Sequence, residues 1–509
     1  MGLELHISLS TVLLFFLFVL IVLNTLRRSK TKNSNSKLLP PGPRKLPLIG
    51  NIHHLSTLPH RSLARLAKEY GPLMHMQLGE LCCIVVSSPE MAKEVMNTHD
   101  IIFANRPHVL GADIITYGSK GIGFSPHGTY WRQMKKICTM ELLAPKHVES
   151  FRSIREEELS NLVREISLSE GSPINLSEKI NSVAYGLTSR IAFGEKSKDQ
   201  QVYIELMKDV PEVAGGFSVA DLYPSIGVLT VLTGIRTKAE KLHREMDRIL
   251  ENIVRDHRDK NLESQVVGEE NGKHLVDVLL RLQKNGDLKH PLTDSIVKAT
   301  ILDIFSAGSD TSSAIMEWVM SELVKNPRVM KKVQFEVRRV FDGKGYVDES
   351  NIHELKYLRS VIKETLRLHP PAPLLLPREC SERCEINGYE IQAKSRVIVN
   401  AWAIGRDPKY WIEAEKFYPE RFLDSPIDYK SAEFQFIPFG AGRRTCPGIN
   451  FGIVNVEFSV ANLLFHFDWK MVEGKMPEEL DMTESFGLSV RRKHDLQIIP
   501  ITYHSATAS

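Results

Sequence analysis

The sequence predicts a mainly α-helical fold with small β-sheets, an α+β class, preceded by one membrane-spanning helix. Three observations lead there. Seven segments, 62–70, 150–167, 237–259, 292–325, 327–341, 354–368 and 447–465, carry apolar residues at helical spacing. Strand patterns are short and few: MHMQLG with CCIVVSS over 74–88, CEINGYEI over 384–391 and RVIVNAW over 396–402. An uncharged run of 18 residues, Leu9 to Leu26, is just long enough to cross a hydrocarbon layer as a helix.

Glu4 precedes that run, and Arg27, Arg28, Lys30 and Lys32 follow it. A cleavable signal peptide has the opposite arrangement, a basic head and a small-residue tail, so residues 1–28 read as a retained anchor. The basic flank stays cytosolic, which places the N-terminus in the lumen and everything after residue 27 in the cytosol. Residues 29–51 follow as the polar tether KTKNSNSK and then LPPGPRKLPLIGN, stiffened by Pro40, Pro41, Pro43 and Pro47. One reading is a hinge that sets the distance and angle between membrane and globule; the other is a plain linker. Residues 52–509 form the globule, without internal repeats, and LESQVVGEENGK over 262–273 reads as a mobile surface loop.

With 509 residues, 42% of them hydrophobic, the chain buries a large core. A net charge of +3 with no arginine-rich or aromatic RNA signature argues against nucleic-acid binding. Six cysteines, at 82, 83, 138, 380, 384 and 446, form no repeated framework, so a reducing compartment fits better than disulfide stapling. Cys380 and Cys384 lack the second nearby pair that a zinc site needs, and read as ordinary residues beside an Asn387-Gly388 hairpin turn.

The longest helical segment, Leu292 to Asn326, is entered after Pro291 and closed by Pro327, yet its middle is AGSDTSS. Gly308 costs about 1 kcal/mol relative to alanine there, and the hydroxyls compete for backbone hydrogen bonds. Ile304, Ala307, Gly308, Thr311 and Ile315 share one face whose small centre would admit a flat ligand, with Thr311 bonding back to Ala307 and loosening the turn. A helix crossing at small residues is the competing explanation. In YLRSVIKETLRLHPP, Glu364 and Arg367 share a helix face among apolar neighbours, so the pair is expected to be buried and to need further partners; Arg421 of FYPERF supplies one.

The stretch FQFIPFGAGRRTCPGINFG, residues 434–452, places Cys446 among glycine, proline and arginine just before a helical segment. Its pattern Phe439-x-x-Gly442-x-Arg444-x-Cys446-x-Gly448, with EXXR at 364–367, AGSDTS at 307–312, PERF at 419–422, WRQMK at 131–135 and the proline-rich segment, resembles the cytochrome P450 haem-thiolate monooxygenases. Order and spacing match over nearly the whole chain, most nearly as in the microsomal plant enzymes of specialised metabolism.

The resemblance implies haem b, with Cys446 as axial thiolate ligand to the iron, a ligand whose electron density favours O–O cleavage. It implies Phe439 beside the haem, and Trp131, Lys135, Arg378 and Arg444 at its propionates; Lys135 departs from the arginine common there and makes a less directional contact. Asp310 and Thr311 resemble the acid–alcohol pair that relays protons to dioxygen, and Glu364, Arg367 and Arg421 a structural triad away from substrate. No GxGxxG follows a strand, so NADPH acts only through a separate NADPH–cytochrome P450 reductase, with cytochrome b5 as a second candidate donor. Arg132, Lys136 and Arg443 are candidates for that docking, against the simpler reading of a solvated basic face. Further expectations are a monomer on the endoplasmic reticulum membrane with a cytosolic catalytic domain, and a lipophilic substrate of terpenoid or flavonoid/isoflavonoid size. The substrate would touch the 105–128 loop, the Ile304–Thr311 face, PPAPLLLP over 370–377 and SFGLSV over 485–490. Two alternatives stand beside this: a haem-thiolate isomerase or dehydratase that needs neither dioxygen nor reductase, and a nonenzymatic haem-binding protein.

Overall fold

A computed structural model describes residues 39–194, 199–267, 274–472, 476–487 and 489–504. The apolar run Leu9 to Leu26 lies outside the described residues; among those described, no helix is long and apolar enough to cross a membrane.

Eleven helices of more than eight residues are found among the described residues: α1 Pro59–Tyr70, α2 Thr129–Ile137, α3 Arg152–Ser167, α4 Leu176–Phe193, α5 Gln200–Ala214, α6 Ile235–Val267, α7 Leu275–Asn285, α8 Asp294–Lys325, α9 Pro327–Phe341, α10 Lys356–Leu368 and α11 Ile449–His466. The strands are β1 Leu73–Leu78, β2 Leu81–Val86, β3 Ile174–Asn175, β4 Arg378–Glu379, β5 Cys384–Ile386, β6 Tyr389–Ile391, β7 Arg396–Val399, β8 Phe467–Met471, β9 Glu484–Ser485, β10 Arg491–Arg492 and β11 Gln497–Thr502. All seven expected helical segments are present, although 150–167 divides at Phe151 into a short helix Pro145–Ser150 and α3. One expectation is corrected. Residues 262–267 are the last turns of α6, not part of a loop; residues 268–273 lie outside the described residues.

The largest sheet has the order β1-β2-β7-β4. β1 and β2 form an antiparallel hairpin, β7 joins β2 in parallel with Cys83 opposite Arg396, and β4 closes the sheet antiparallel to β7. The proline-rich segment is laid against β1: the His75 N–H donates to the Pro41 carbonyl at 2.8 Å and the Asn51 N–H to the Gln77 carbonyl at 2.6 Å. A Cβ on Gly42 would come within 1.9 Å of the His75 carbonyl oxygen, so glycine is what permits this approach. The β5–β6 hairpin turns through Asn387 and Gly388, both with positive φ, as the sequence predicts.

α8 runs through AGSDTSS as one continuous helix. The hydroxyls of Thr300, Thr311 and Ser321 each donate to the carbonyl four residues back, so they add to the helical ladder rather than interrupt it. Its C-terminal half is the centre of the main core: Ile315, Val319 and Leu323 pack with Ile180, Val183 and Leu187 of α4 and with Val456, Val460 and Leu464 of α11. A Cβ on Gly308 would lie 3.2 Å from Phe451 of α11 and 3.5 Å from Thr188 of α4. Gly308 therefore serves a helix crossing, while Ala307 and Thr311 keep the more open positions on the face.

Next to this core, Glu364 and Arg367 are fully buried and joined by two 2.8 Å hydrogen bonds. Arg421 donates to Glu364 at 3.0 Å and the Tyr418 N–H at 2.8 Å; Arg367 also donates to the carbonyls of Gly405 and Ala414, both at 2.6 Å. Both cations thus reach the one carboxylate and their remaining donors end on carbonyls, the condition under which a buried ion pair is tolerated.

Candidate active site at Cys446

The loop before α11 is shaped by its glycines. Gly440 and Gly442 have φ of +67° and +70°. A Cβ on Gly442 would lie 2.1 Å from the Met96 carbonyl oxygen, so both conformation and space demand glycine there. The chain then doubles back, with the Cys446 N–H donating to the Phe439 carbonyl at 3.0 Å. Burial raises the Cys446 thiol above its usual range, while the Gly448 N–H and the Lys135 ammonium pull it down. A Cβ at 448 would stand 3.9 Å from Sγ, ordinary van der Waals contact, so this position lies directly against the sulfur. Of the three glycines, 440 and 442 turn the chain and 448 faces the sulfur. Phe439 is held by an edge contact with Tyr429, ring centroids 5.2 Å apart.

The cations named from sequence come together beside this loop. Lys135, from α2, donates to the Thr445 carbonyl at 2.5 Å. Arg444 donates to the carbonyls of Ala104 and Ser125 at 2.7 Å each, and its guanidinium lies 4.2 Å over the ring of Trp131, whose Nε1 donates to the Ile122 carbonyl. Arg378, from β4, donates to the Ala441 carbonyl at 2.9 Å and stands 3.5 Å from Asp100. The structure adds Arg106, which donates to the carbonyls of Gly123, Leu376 and Pro377 at 2.7–2.9 Å.

Two buried guanidiniums, the half-buried one of Arg444 and an ammonium are thus satisfied mainly by backbone carbonyls, with Asp100 the one carboxylate bonded to any of them among the described residues. The cost shows in their acidity. Burial lowers Arg106, with Arg444 and Arg378 adding repulsion; burial also lowers Arg444, with Arg378 beside it, and Lys135. Ser125 Oγ and His127 Nε2 are buried nearby without a protein partner. Uncompensated cations, orphaned polar atoms and a soft sulfur donor in one place fit a group that carries both carboxylates and a thiophilic metal, and haem b is such a group.

On α8, Thr311 donates to the Ala307 carbonyl at 2.7 Å, and Ala307 is exposed with Ile304 and Thr311 partly so. Asp310 is adjacent in the chain but turns elsewhere: its carboxylate is held by Arg491 of β10, which also donates to Ser313 Oγ at 2.8 Å and to Asn181 Oδ1 at 2.6 Å. Ile315 is buried in the core. A separate apolar cavity is lined by Phe124, Leu374, Leu375, Leu376 and Phe486, so three of the four segments expected at substrate meet there, joined by Phe217. Arg106, Arg491 and Phe217 were not singled out from sequence. Arg106 had one visible signal, a lone cation in the apolar-flanked FANRPHVL.

A thiolate donor on a glycine-built loop, an anion-seeking cation cluster and a long helix with a hydroxyl-bearing face define a haem-thiolate enzyme. The family profile for Cytochrome P450 matches residues 40–497, and the chain belongs to that family. It is 53% identical to desmethyl-deoxy-podophyllotoxin synthase of Sinopodophyllum hexandrum, covering 98% of this chain and 97% of the relative. It is 52% identical to tabersonine 6,7-epoxidase isoform 1 of Catharanthus roseus, covering 96% of each. In fold it is similar to a zebrafish cytochrome P450 solved with abiraterone, with a TM-score of 0.74 and 24% identity, covering 88% of this chain and 100% of that one. The chain is thus a plant microsomal type of cytochrome P450, an oxidoreductase of the monooxygenase class whose cofactor is haem b.

Proposed function

We propose that this enzyme, anchored in the endoplasmic reticulum membrane by residues 1–28 with residues 29–51 as tether and hinge, inserts one atom of dioxygen into a lipophilic plant specialised metabolite. The apolar lining of the cavity at Phe124, Leu374 and Phe486 supports a lipophilic substrate, for which terpenoid and flavonoid/isoflavonoid are the classes proposed. Electrons come from NADPH through a separate reductase, for which the exposed Arg132, Lys136 and Arg443 offer a basic docking face. The observation that carries the reading is the unbalanced cation cluster gathered beside the Cys446 thiol.

Haem, when bound, supplies the redox chemistry on dioxygen. Cys446 would hold its iron, Arg106, Trp131, Lys135, Arg378 and Arg444 its carboxylates, and Phe439 its edge. The remaining work belongs to the chain. The Gly448 N–H stabilises negative charge on Cys446 Sγ. Thr311 donates its hydroxyl hydrogen bond to the Ala307 carbonyl, which leaves the Oγ1 lone pairs free to accept a hydrogen bond from water and hold it in place. Asp310 can exchange protons with that water only by way of the carboxylate that Arg491 holds, so Arg491 sets how readily it participates.

Replacing Thr311 by alanine tests this. The helix and haem content should survive, since alanine is the better helix former. The variant should still consume NADPH with reductase present while product formed per NADPH falls by about tenfold or more and hydrogen peroxide rises. Unchanged coupling would remove Thr311 from proton delivery, and absence of NADPH consumption in both proteins would favour an isomerase.

A further inference from the structure

The segment Gly121–Ser125 has opposite obligations on its two sides. On one side lies Asp303 of α8, one turn before Ala307. The Gly123 N–H donates to Asp303 Oδ2 at 2.9 Å. On the other side lies the cation cluster: the Ile122 carbonyl accepts from Trp131 Nε1 at 3.2 Å and from Arg444 at 3.3 Å, the Gly123 carbonyl from Arg106 at 2.9 Å, and the Ser125 carbonyl from Arg444 at 2.7 Å. Gly123 thus sends its N–H to an anion and its C=O to a cation.

Two further observations show that this is built rather than incidental. A Cβ on Gly121 would stand 2.4 Å from Asp303 Oδ2 and 2.6 Å from Oδ1, although Gly121 does not have a positive φ; the glycine is there for space, and the space is the carboxylate's. Burial raises Asp303 to about 6, and the groups that oppose this are the N–H groups of Gly123 and Ile122 rather than a cation. The carboxylate is an anchor for backbone donors.

We propose that Asp303 is a positioning residue for the haem edge: by gathering the N–H groups of Ile122 and Gly123, at the start of a turn that the Ser125 N–H closes on the Gly121 carbonyl, it turns the carbonyls of Ile122, Gly123 and Ser125 toward Trp131, Arg106 and Arg444 and so fixes the cation cluster. The proposal rests on the assignment of that cluster to haem. It makes the 105–128 loop and the haem-holding cations one mechanical unit tied to α8. Peptide units aligned between an anion and a cation polarise one another in the same sense, so removing the anion weakens the bonds at the far end.

The test uses full-length holoenzyme and four variants: Asp303→Ala, Asp303→Asn, Gly121→Ala, and Gly121→Ala with Asp303→Ala. Haem transfer to excess apomyoglobin gives the release rate, and circular dichroism gives the unfolding midpoint. Asp303→Ala should release haem about tenfold faster, the factor that one charge-assisted hydrogen bond carries, with a much smaller change in midpoint. Asp303→Asn keeps an acceptor without the charge and should fall between Asp303→Ala and wild type. Gly121→Ala should match Asp303→Ala because its methyl displaces the carboxylate, and the double variant should be no faster than Asp303→Ala alone. Haem release at the wild-type rate in Asp303→Ala, or a double variant showing the product of the single effects, overturns the proposal. If Asp303→Ala does not fold, wild-type release from Asp303→Asn overturns it by the same rule. Failure of the haem assignment would look different: the cluster variant Arg444→Ala would hold haem as well as wild type.

Discussion

Two groups of buried charge lie within this chain and differ in balance. Around Glu364, every cation has its anion: Arg367 and Arg421 both reach the same carboxylate, and their remaining N–H groups end on carbonyls. Around Arg444, several cations face backbone carbonyls and Asp100 is the one acid bonded to them among the described residues. The first group is complete by itself and can be understood as architecture. The second carries a desolvation cost that carbonyls and one carboxylate offset only in part, and it becomes intelligible as a receptor for anionic groups. Both were visible in the sequence as arginines in motifs. Only the partner inventory separates the one that is satisfied as architecture from the one proposed to hold a ligand.

The largest effect is expected at the carboxylate that two arginines share. Glu364→Ala leaves Arg367 and Arg421 buried without their anion, and should cost about 3–5 kcal/mol of stability. In thermal unfolding followed by both the haem band and circular dichroism, the two signals should be lost together, at a midpoint well below wild type. Arg444→Ala should behave otherwise. It removes one member of a repelling set and up to three hydrogen bonds to carbonyls, so haem should leave about tenfold more readily while the secondary structure persists to a higher temperature than the haem band. Coincident loss in Arg444→Ala would erase the distinction between the two groups. The smallest change is Lys135→Arg. A guanidinium fork in place of a point charge should slow haem release by about twofold and leave the unfolding midpoint alone; faster release would show that the pocket around the Thr445 carbonyl has no room for the fork.

Much of the helical framework was legible because its helices bury one side. α4 was not, and the reason is physical: Val183 to Ser189 are buried at seven consecutive positions, so no apolar and polar faces alternate at helical spacing. The end of α6 is hard to tell from a loop because half of LESQVV is polar and a glycine follows it, features that a loop and a helix end share. β8 and β11 escaped notice because FDWKM and QIIPIT are short and mixed, and Pro500 argues against a strand except where pairing tolerates it.

Candidate site residues embedded in motifs are legible in the sequence, and candidates defined only by tertiary approach are not. Arg106 is fixed by carbonyls from two distant segments, 123 and 376–377, and Arg491 acquires its meaning from Asp310 more than a hundred residues earlier. Gly308 teaches the converse. Its presence in AGSDTS suggested room for a flat ligand, while its Cβ position is occupied by Phe451 and Thr188.

The central claim is that Cys446 is the thiolate on which the site is built, and one measurement addresses it most directly: the carbonyl difference spectrum of reduced Cys446→Ser beside that of the wild type. Serine preserves size and the hydrogen bond from N to the Phe439 carbonyl but is a poor ligand where a soft sulfur donor is needed. The account predicts a thiolate-type carbonyl band in the wild type and its complete loss in the variant, with haem released or differently ligated and NADPH-dependent turnover abolished. A thiolate-type band of normal intensity in Cys446→Ser, with activity retained, would contradict it.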